Sequence, residues 1–247
     1  MNIECFVSHS WHFGEHHFAV KLANALRLRG IDTWLDEKKI PGGGHVRDRV
    51  MRGVQICDVF LFVMSPAAVI SPWCRLELEE ALKQRSEIGI QIVPLRLKKW
   101  LIPKTLRDLL YIDFRDDMQF EELMEKLLTS IKEAHIVRVA VREVLEGDDE
   151  TRYNAAQKLA ALKNRFTVPI MARRLIGDPI TPIEPDPTIR YWLAYALGQI
   201  GGEEACAALQ KAEAQDTNPW TQQGISEGFQ AAGCRTRGRK EAFTTDK

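Results

Sequence analysis

Net charge is missing from this sequence: 34 Lys and Arg residues balance 34 Asp and Glu, leaving a formal charge of zero. No global field therefore recruits nucleic acid or an anionic membrane surface, so nucleic acid is disfavoured as a partner and any charged ligand must be met locally. Long apolar runs are missing too. The longest, residues 59–64 and 88–97, fall far short of the roughly 20 residues of a membrane-spanning helix, and no segment is expected to cross a bilayer. The chain begins Met1-Asn2-Ile3-Glu4, without a basic stretch leading into an apolar one. Its five cysteines (Cys5, Cys57, Cys74, Cys206 and Cys234) are odd in number, widely spaced and mostly inside apolar runs. Neither a leader nor a disulfide framework is expected, and the composition reads as that of a reduced, cytoplasmic protein.

What is present divides the chain in two. Up to about residue 115, short β-type runs at residues 3–8, 31–35, 58–64, 90–97 and 111–114 alternate with segments of helical period, such as Phe18, Leu22, Ala25 and Leu26. Alternation at this spacing implies parallel crossovers and a sheet covered on both faces, a doubly wound α/β fold. Val59-Phe60-Leu61-Phe62-Val63 is apolar at every position, as a central strand must be. Residues 119–134 read as a closing helix. From residue 137 strand runs disappear, and Arg152-Tyr153, Ala156, Leu159 and Leu162 recur as Arg190-Tyr191, Ala194, Leu197 and Ile200 at a constant offset of 38. A looser third copy spans residues 216–233. Small and aliphatic residues repeating in this way imply stacked helical pairs, and the blocks resemble HEAT repeats. The expected organisation is an α/β domain over residues 1–135, helical repeats over 136–234 and a flexible basic tail over 235–247. That tail carries Arg235, Arg237, Arg239 and Lys240, read as solvated.

In an open doubly wound sheet, ligands bind beyond the carboxyl ends of the strands where the strand order reverses. That rim gathers Phe6-Val7-Ser8-His9-Ser10 after the first strand, Trp34-Leu35-Asp36 after the second and Ser65-Pro66 after the third. A helix then opens at Ser71-Pro72, with Ser suited to the cap and Pro to the first turn. At about 100° per residue, Cys74, Leu78 and Ala81 share a stripe, Glu77 lies on its border, and Glu79 and Glu80 face solvent. A carboxylate drawn toward an apolar body is paired, neutralised or kept for use; a capping or salt-bridge role competes with catalysis on position alone.

Other chemistry is thinly supported. The Pro41-Gly42-Gly43-Gly44 turn lacks the Lys-Ser/Thr ending of a phosphate-binding loop. His12 and His16, spaced by four with His9 and Glu15 nearby, permit a metal site, but the His-Glu-x-x-His order is absent; exposed histidines at a helix start are favoured and no metal is assigned, and the role of the His9, His12, His16 and His17 cluster stays open. Cys74 sits where a thiolate is favoured, yet no His or Asp partner can be assigned to it, so it reads as a packed thiol.

Phe6-Val7-Ser8-His9-Ser10, Gly30-Ile31-Asp32-Thr33-Trp34-Leu35-Asp36, Ile40-Pro41-Gly42-Gly43, Ser65-Pro66 and Ser71-Pro72-Trp73-Cys74-Arg75-Leu76-Glu77-Leu78 resemble, in order and spacing, successive boxes of a bacterial-type TIR domain covering roughly residues 1–134. The resemblance implies a flavodoxin-like five-stranded parallel sheet followed by an all-α repeat domain. Some TIR domains cleave the N-glycosidic bond of NAD, and in those the required Glu stands four residues after a Trp at the start of this helix. Glu77 follows Trp73 by four. It would stabilise an oxocarbenium-like ribose while neutral nicotinamide departs without a proton. By the same resemblance Phe6, Ser8, Ser10, Trp34, Asp36 and Trp73 would shape the nucleotide pocket, and Pro41, Gly42 and Gly43 would form the loop used for gating and self-association. The run Trp11-His12-Phe13-Gly14-Glu15-His16-His17 departs from the charged residues many bacterial TIR domains carry there.

The resemblance thus implies an NAD glycohydrolase effector in bacterial immunity, activated by self-association. NAD would be its substrate with no cofactor required, and an unidentified protein or other trigger would act on the repeats. Two alternatives stand beside it: a non-enzymatic TIR adaptor, and a cyclase making a cyclic ADP-ribose-type signal.

Overall fold

The computed structural model describes residues 3–35, 46–99, 102–107, 109–116, 119–162, 167–179 and 181–234. It comprises two compact units, Met1–Arg138 and Val139–Lys247.

The first unit is the α/β sandwich that the alternating pattern implies. Its strands are β1 (Ile3–Ser8), β2 (Ile31–Leu35), β3 (Val59–Met64), β4 (Gln91–Arg96) and β5 (Ile112–Asp113). They form one parallel sheet in the order β2-β1-β3-β4-β5. Around them lie α1 (Phe13–Arg27), α2 (Val46–Ile56), the short α3 (Pro66–Ile70), α4 (Pro72–Ile88) and α5 (Phe120–Glu146). Strand periodicity of two sends β3 into both layers at once. Val59, Leu61 and Val63 pack with Leu22 and Leu26 of α1 and Leu127 and Ile131 of α5. Phe60, Phe62 and Met64 pack with Val54 of α2 and Cys74 and Ala81 of α4. Phe6 joins this second layer, its ring stacked on Phe60 with centroids 5.5 Å apart.

Two elements differ from the sequence reading. β5 is shorter than residues 111–114: its ladder pairs only Leu95 with Ile112 and Arg96 with Asp113, while Tyr111 is turned out beneath the Arg96 guanidinium. The closing helix runs on past residue 134 to Glu146, since no Gly or Pro interrupts it before Gly147 and Val137, Ala140, Val141 and Val144 keep the helical stripe buried.

The second unit is helical, as the repeats imply. After the end of α5 come α6 (Asp149–Leu162), α7 (Val168–Ile176), α8 (Pro187–Ile200), α9 (Glu203–Gln215) and α10 (Pro219–Ala232). The helices that carry the repeated motif, α6 and α8, lie side by side, and α10 continues the layer. Glycines let α8 and α10 touch backbone to backbone. A Cβ added at Gly198 would stand 2.3 Å from the Gly228 Cα, and one at Gly224 would stand 2.6 Å from the Tyr191 carbonyl oxygen.

One expectation is corrected here. The cysteines do not all remain thiols: Cys206 on α9 and Cys234 after α10 form a disulfide, because the antiparallel packing of α9 and α10 brings residues 28 apart in sequence to a Cα–Cα distance of 5.7 Å. Cys5, Cys57 and Cys74 are buried thiols. Among the described residues no helix is long and apolar enough to cross a membrane. The basic tail read at residues 235–247 lies outside the described residues.

Candidate active site at the carboxyl rim of the sheet

The strand order reverses at β1, which sits between β2 and β3, so the rim beyond β1 and β3 is the switch point that the α/β rule selects. Local chemistry brings α4 to that rim. Ser65 caps α3 by accepting the Ala68 N–H at 3.0 Å, with Pro66 as the first helical residue. Ser71 then caps α4 by accepting the Cys74 N–H at 3.3 Å, with Pro72 following. Each Ser-Pro pair satisfies an orphan donor and presets the first turn.

Glu77, in the second turn of α4, has 0% of its surface exposed. Its place on the border of the apolar stripe has become full burial, alongside Cys74 and Ala81. The Ser8 hydroxyl at the end of β1 donates to Glu77 Oε2 at 2.6 Å. Three residues earlier on the same face, the Cys74 thiol donates to the His9 carbonyl at 3.2 Å. Two hydrogen bonds thus pin one face of α4 to the β1–α1 turn, and one of them is to a carboxylate, the stronger kind.

The rest of that turn forms a second polar knot. Glu15 of α1 is buried, accepts the Ser10 hydroxyl, and receives the Lys98 ammonium after β4 at 3.2 Å. Buried carboxylates persist where such donors compensate their desolvation. Beside it, His9 Nε2 and His16 Nδ1 share a hydrogen bond of 2.9 Å, and the Trp11 ring stacks on His16 with centroids 4.6 Å apart. Burial, reinforced by the neighbouring His16, pushes the His9 pKa down from 6.5 to about 4, so the ring is neutral at physiological pH. His12 and His17 are exposed. Among the described residues no group of three or more His, Cys, Asp or Glu side chains is arranged to hold a metal ion.

Of the site residues read from sequence, Ser8 and Glu77 meet directly. Ser10 stands on the same turn but is engaged by Glu15. Phe6 is in the core between the sheet and α2, with Trp73 packed against the same cluster. Trp34 lies across from Phe6 in register on β2, about one-third exposed, and both rings flank Gly53 of α2. Asp36, Pro41, Gly42 and Gly43 lie outside the described residues.

Two residues of this rim take a part that the sequence reading does not give them: Glu15 enters it only beside the histidines as a metal-site residue, and Lys98 is not singled out. Glu15 shares the buried stripe of α1 with Phe18, Ala19, Leu22 and Leu26, so its helical phase carried the signal. Lys98 had none: it follows β4 in a polar turn, and only the fold brings it to Glu15 across 83 residues.

Two family models agree with this layout. A TIR-domain family model matches residues 5–128, and a HEAT-repeat model matches residues 137–228. Among solved structures, the TIR domain of the Toll-related receptor TRR-2 from the lower metazoan Hydra magnipapillata aligns at 19% identity and a TM-score of 0.44, covering 52% of this chain and 97% of that one. The TIR domains of the activated Roq1 resistosome directly recognizing the pathogen effector XopQ align at 19% identity and a TM-score of 0.44, covering 53% of this chain and 99% of theirs. Among curated proteins, none matches. With half of its length matched by the TIR model and the following segment by HEAT repeats, the chain belongs to the TIR-domain family and carries HEAT repeats after that domain.

Proposed function

We propose that the chain hydrolyses the bond between nicotinamide and ribose in NAD, with Glu77 as the catalytic carboxylate, and that it acts in the cytoplasm of a bacterium as an immune effector. The observation that carries this reading is the position of Glu77: a buried carboxylate at the switch-point rim, four residues after Trp73, held by the Ser8 hydroxyl at 2.6 Å. In the reaction the C1′–N bond breaks and its electron pair stays on the pyridine nitrogen, neutralising the pyridinium. Glu77 stabilises the positive charge left on the ribose and orders its hydroxyls. Water then attacks C1′ and releases its proton to the carboxylate or to solvent, giving ADP-ribose.

The same burial sets a condition. Glu77 reaches no solvent while Ser8 and α4 stand as they do, so substrate must displace the Ser8 contact or α4 must shift. Self-association through the TIR domain is the step we assign to that opening. Full burial of Glu77 also favours the second reading, a TIR adaptor in which the Ser8–Glu77 contact braces the fold and no substrate enters.

Incubation of concentrated full-length protein with NAD, with and without a crowding agent, separates the two. Chromatography resolves nicotinamide, ADP-ribose and cyclic products, the last being the outcome for a cyclase. Nicotinamide release that depends on protein concentration and disappears in Glu77→Ala is the expected result. Its absence under every assembling condition, or its persistence in Glu77→Ala, overturns the enzymatic reading.

A further inference from the structure

Large aromatic residues of the second unit gather on one face of its helices. Tyr153 of α6 lies 6.2 Å from Trp192 of α8, Trp192 lies 4.9 Å from Tyr191, and Tyr191 stacks on Trp220 of α10 at 5.1 Å. The row therefore crosses three neighbouring helices. Its ends are open: Tyr153 and Trp220 are each 47% exposed. Core packing accounts for Tyr191, which is buried, but not for two large rings left half in water at either end of a continuous row.

The groups that hold these rings carry negative charge. The Trp192 indole N–H donates to Asp149 at 2.8 Å, and the Tyr191 hydroxyl donates to Glu227 at 2.7 Å. Gln223 also donates to Glu227, at 3.0 Å. Indole, phenol and amide are neutral donors, so they orient the carboxylates without cancelling their charge. Arg152 approaches Asp149 at 3.5 Å, but its side chain is largely covered whereas that of Asp149 is mostly exposed. Asp148 and Glu150, exposed beside Asp149 at the start of α6, add to the field. In a chain with no net charge this acidity is local.

We propose that this face of α6, α8 and α10 docks a cationic segment of a partner protein, its Arg or Lys side chains laid over the exposed rings and paired with Asp149 and Glu227. Aromatic faces attract cations through the ring quadrupole. The adjacent carboxylates supply charge complementarity and repel phosphate, which sets nucleic acid aside as the occupant. The proposal is independent of Glu77 and of any NAD chemistry.

The test uses the full chain and a fluorescein-labelled peptide alternating Arg with Gly and Ser, with a peptide bearing Glu in place of Arg as the control, read by fluorescence anisotropy. Saturable binding of the Arg peptide that weakens with salt is expected, with none for the Glu peptide. Tyr153→Ala with Trp220→Ala should weaken it at least about tenfold, the loss of roughly 1.4 kcal/mol. Tyr153→Phe with Trp220→Phe, which keeps aromatic faces and guards against a folding defect, should retain most of the affinity. Asp149→Asn with Glu227→Gln should also weaken binding. No saturable binding, or equal affinity for the alanine and phenylalanine pairs, overturns the proposal. So does a gain of tenfold or more on removing residues 235–247, which would make the chain's own Arg235, Arg237, Arg239 and Lys240 the occupant.

Discussion

The Ser8–Glu77 contact should be energetically coupled, and a double-mutant cycle reads that coupling directly. Both side chains have no exposed surface, and the donor–acceptor distance is 2.6 Å. Ser8→Ala removes a hydroxyl that donates to a buried carboxylate, and hydrogen bonds to charged groups contribute about 1.5–3 kcal/mol. Glu77→Gln keeps the shape of the side chain but replaces an ionic acceptor by a neutral amide. Glu77→Leu removes the polar group altogether. Ser8→Ala alone should therefore cost about 2 kcal/mol, since it withdraws a donor from a carboxyl group that stays buried. In the Glu77→Leu background the same change should cost much less, because the acceptor is gone. The expected coupling is about 1–2 kcal/mol, measured by urea unfolding of the four proteins under identical conditions. Additivity within about 0.5 kcal/mol would refute the view that Ser8 and Glu77 hold each other. The measurement needs no substrate, so it stands whether or not NAD is cleaved.

Other consequences follow from single sites. Gly198→Ala would drive its Cβ into the Gly228 backbone at 2.3 Å; overpacking of this kind costs about 1–3 kcal/mol and outweighs the better helix propensity of Ala, so the melting temperature of the repeat unit should fall. The His9 pKa is depressed from 6.5 to about 4. Above pH 6.5 the ring is neutral in both states and costs nothing; as pH falls toward 4 the unfolded chain takes the proton first, and stability should drop by up to about 3 kcal/mol. His9→Asn should flatten that limb of a stability–pH curve between pH 6.5 and 4, and an unchanged limb would contradict the burial argument. Reduction of the Cys206–Cys234 bridge, which closes a loop with a sequence separation of 28, should destabilise the repeat unit by about 3–4 kcal/mol on the chain-entropy model. Alkylation and mass spectrometry of the native protein should find these two sulfurs blocked, and thermal melts with and without reductant should report the loss.

The sheet was legible because its information is local. Val59-Phe60-Leu61-Phe62-Val63 can sit comfortably only between two layers, and each Ser-Pro pair announces a helix start. The repeats were legible because Tyr153 and Tyr191 recur with their neighbours at one offset. Glu77 was legible in position but not in degree. A border residue on a helical wheel becomes fully buried only when a specific partner covers it, and Ser8 lies 69 residues away. The same limit hid Lys98, whose meeting with Glu15 spans 83 residues. The disulfide was misread for a related reason. Cysteine spacing says nothing of distance in space, and it is the α9–α10 packing that brings Cys206 and Cys234 together. The closing helix outruns its expected end at residue 134 because its sequence holds no residue that breaks a helix before Gly147.

The way in which Glu77 is closed bears on how it could open. Cys74 and Glu77 share the face of α4 that meets the β1–α1 turn, and their two hydrogen bonds go to consecutive residues, His9 and Ser8. A small rotation of α4, or a displacement of that turn, would therefore release both together. Of these two bonds the thiol–carbonyl one is the weaker. On the proposed reading, a ribose diol that reached the carboxylate would compete with Ser8 for its oxygens. Ser8→Ala should then loosen the closed state and leave the chemistry of Glu77 intact. If NAD is the substrate, this variant should need less protein, or less crowding agent, to reach half of its maximal rate of nicotinamide release. A variant that instead loses all release at every protein concentration would place Ser8 among the groups that hold the substrate, and would refute its role as a latch.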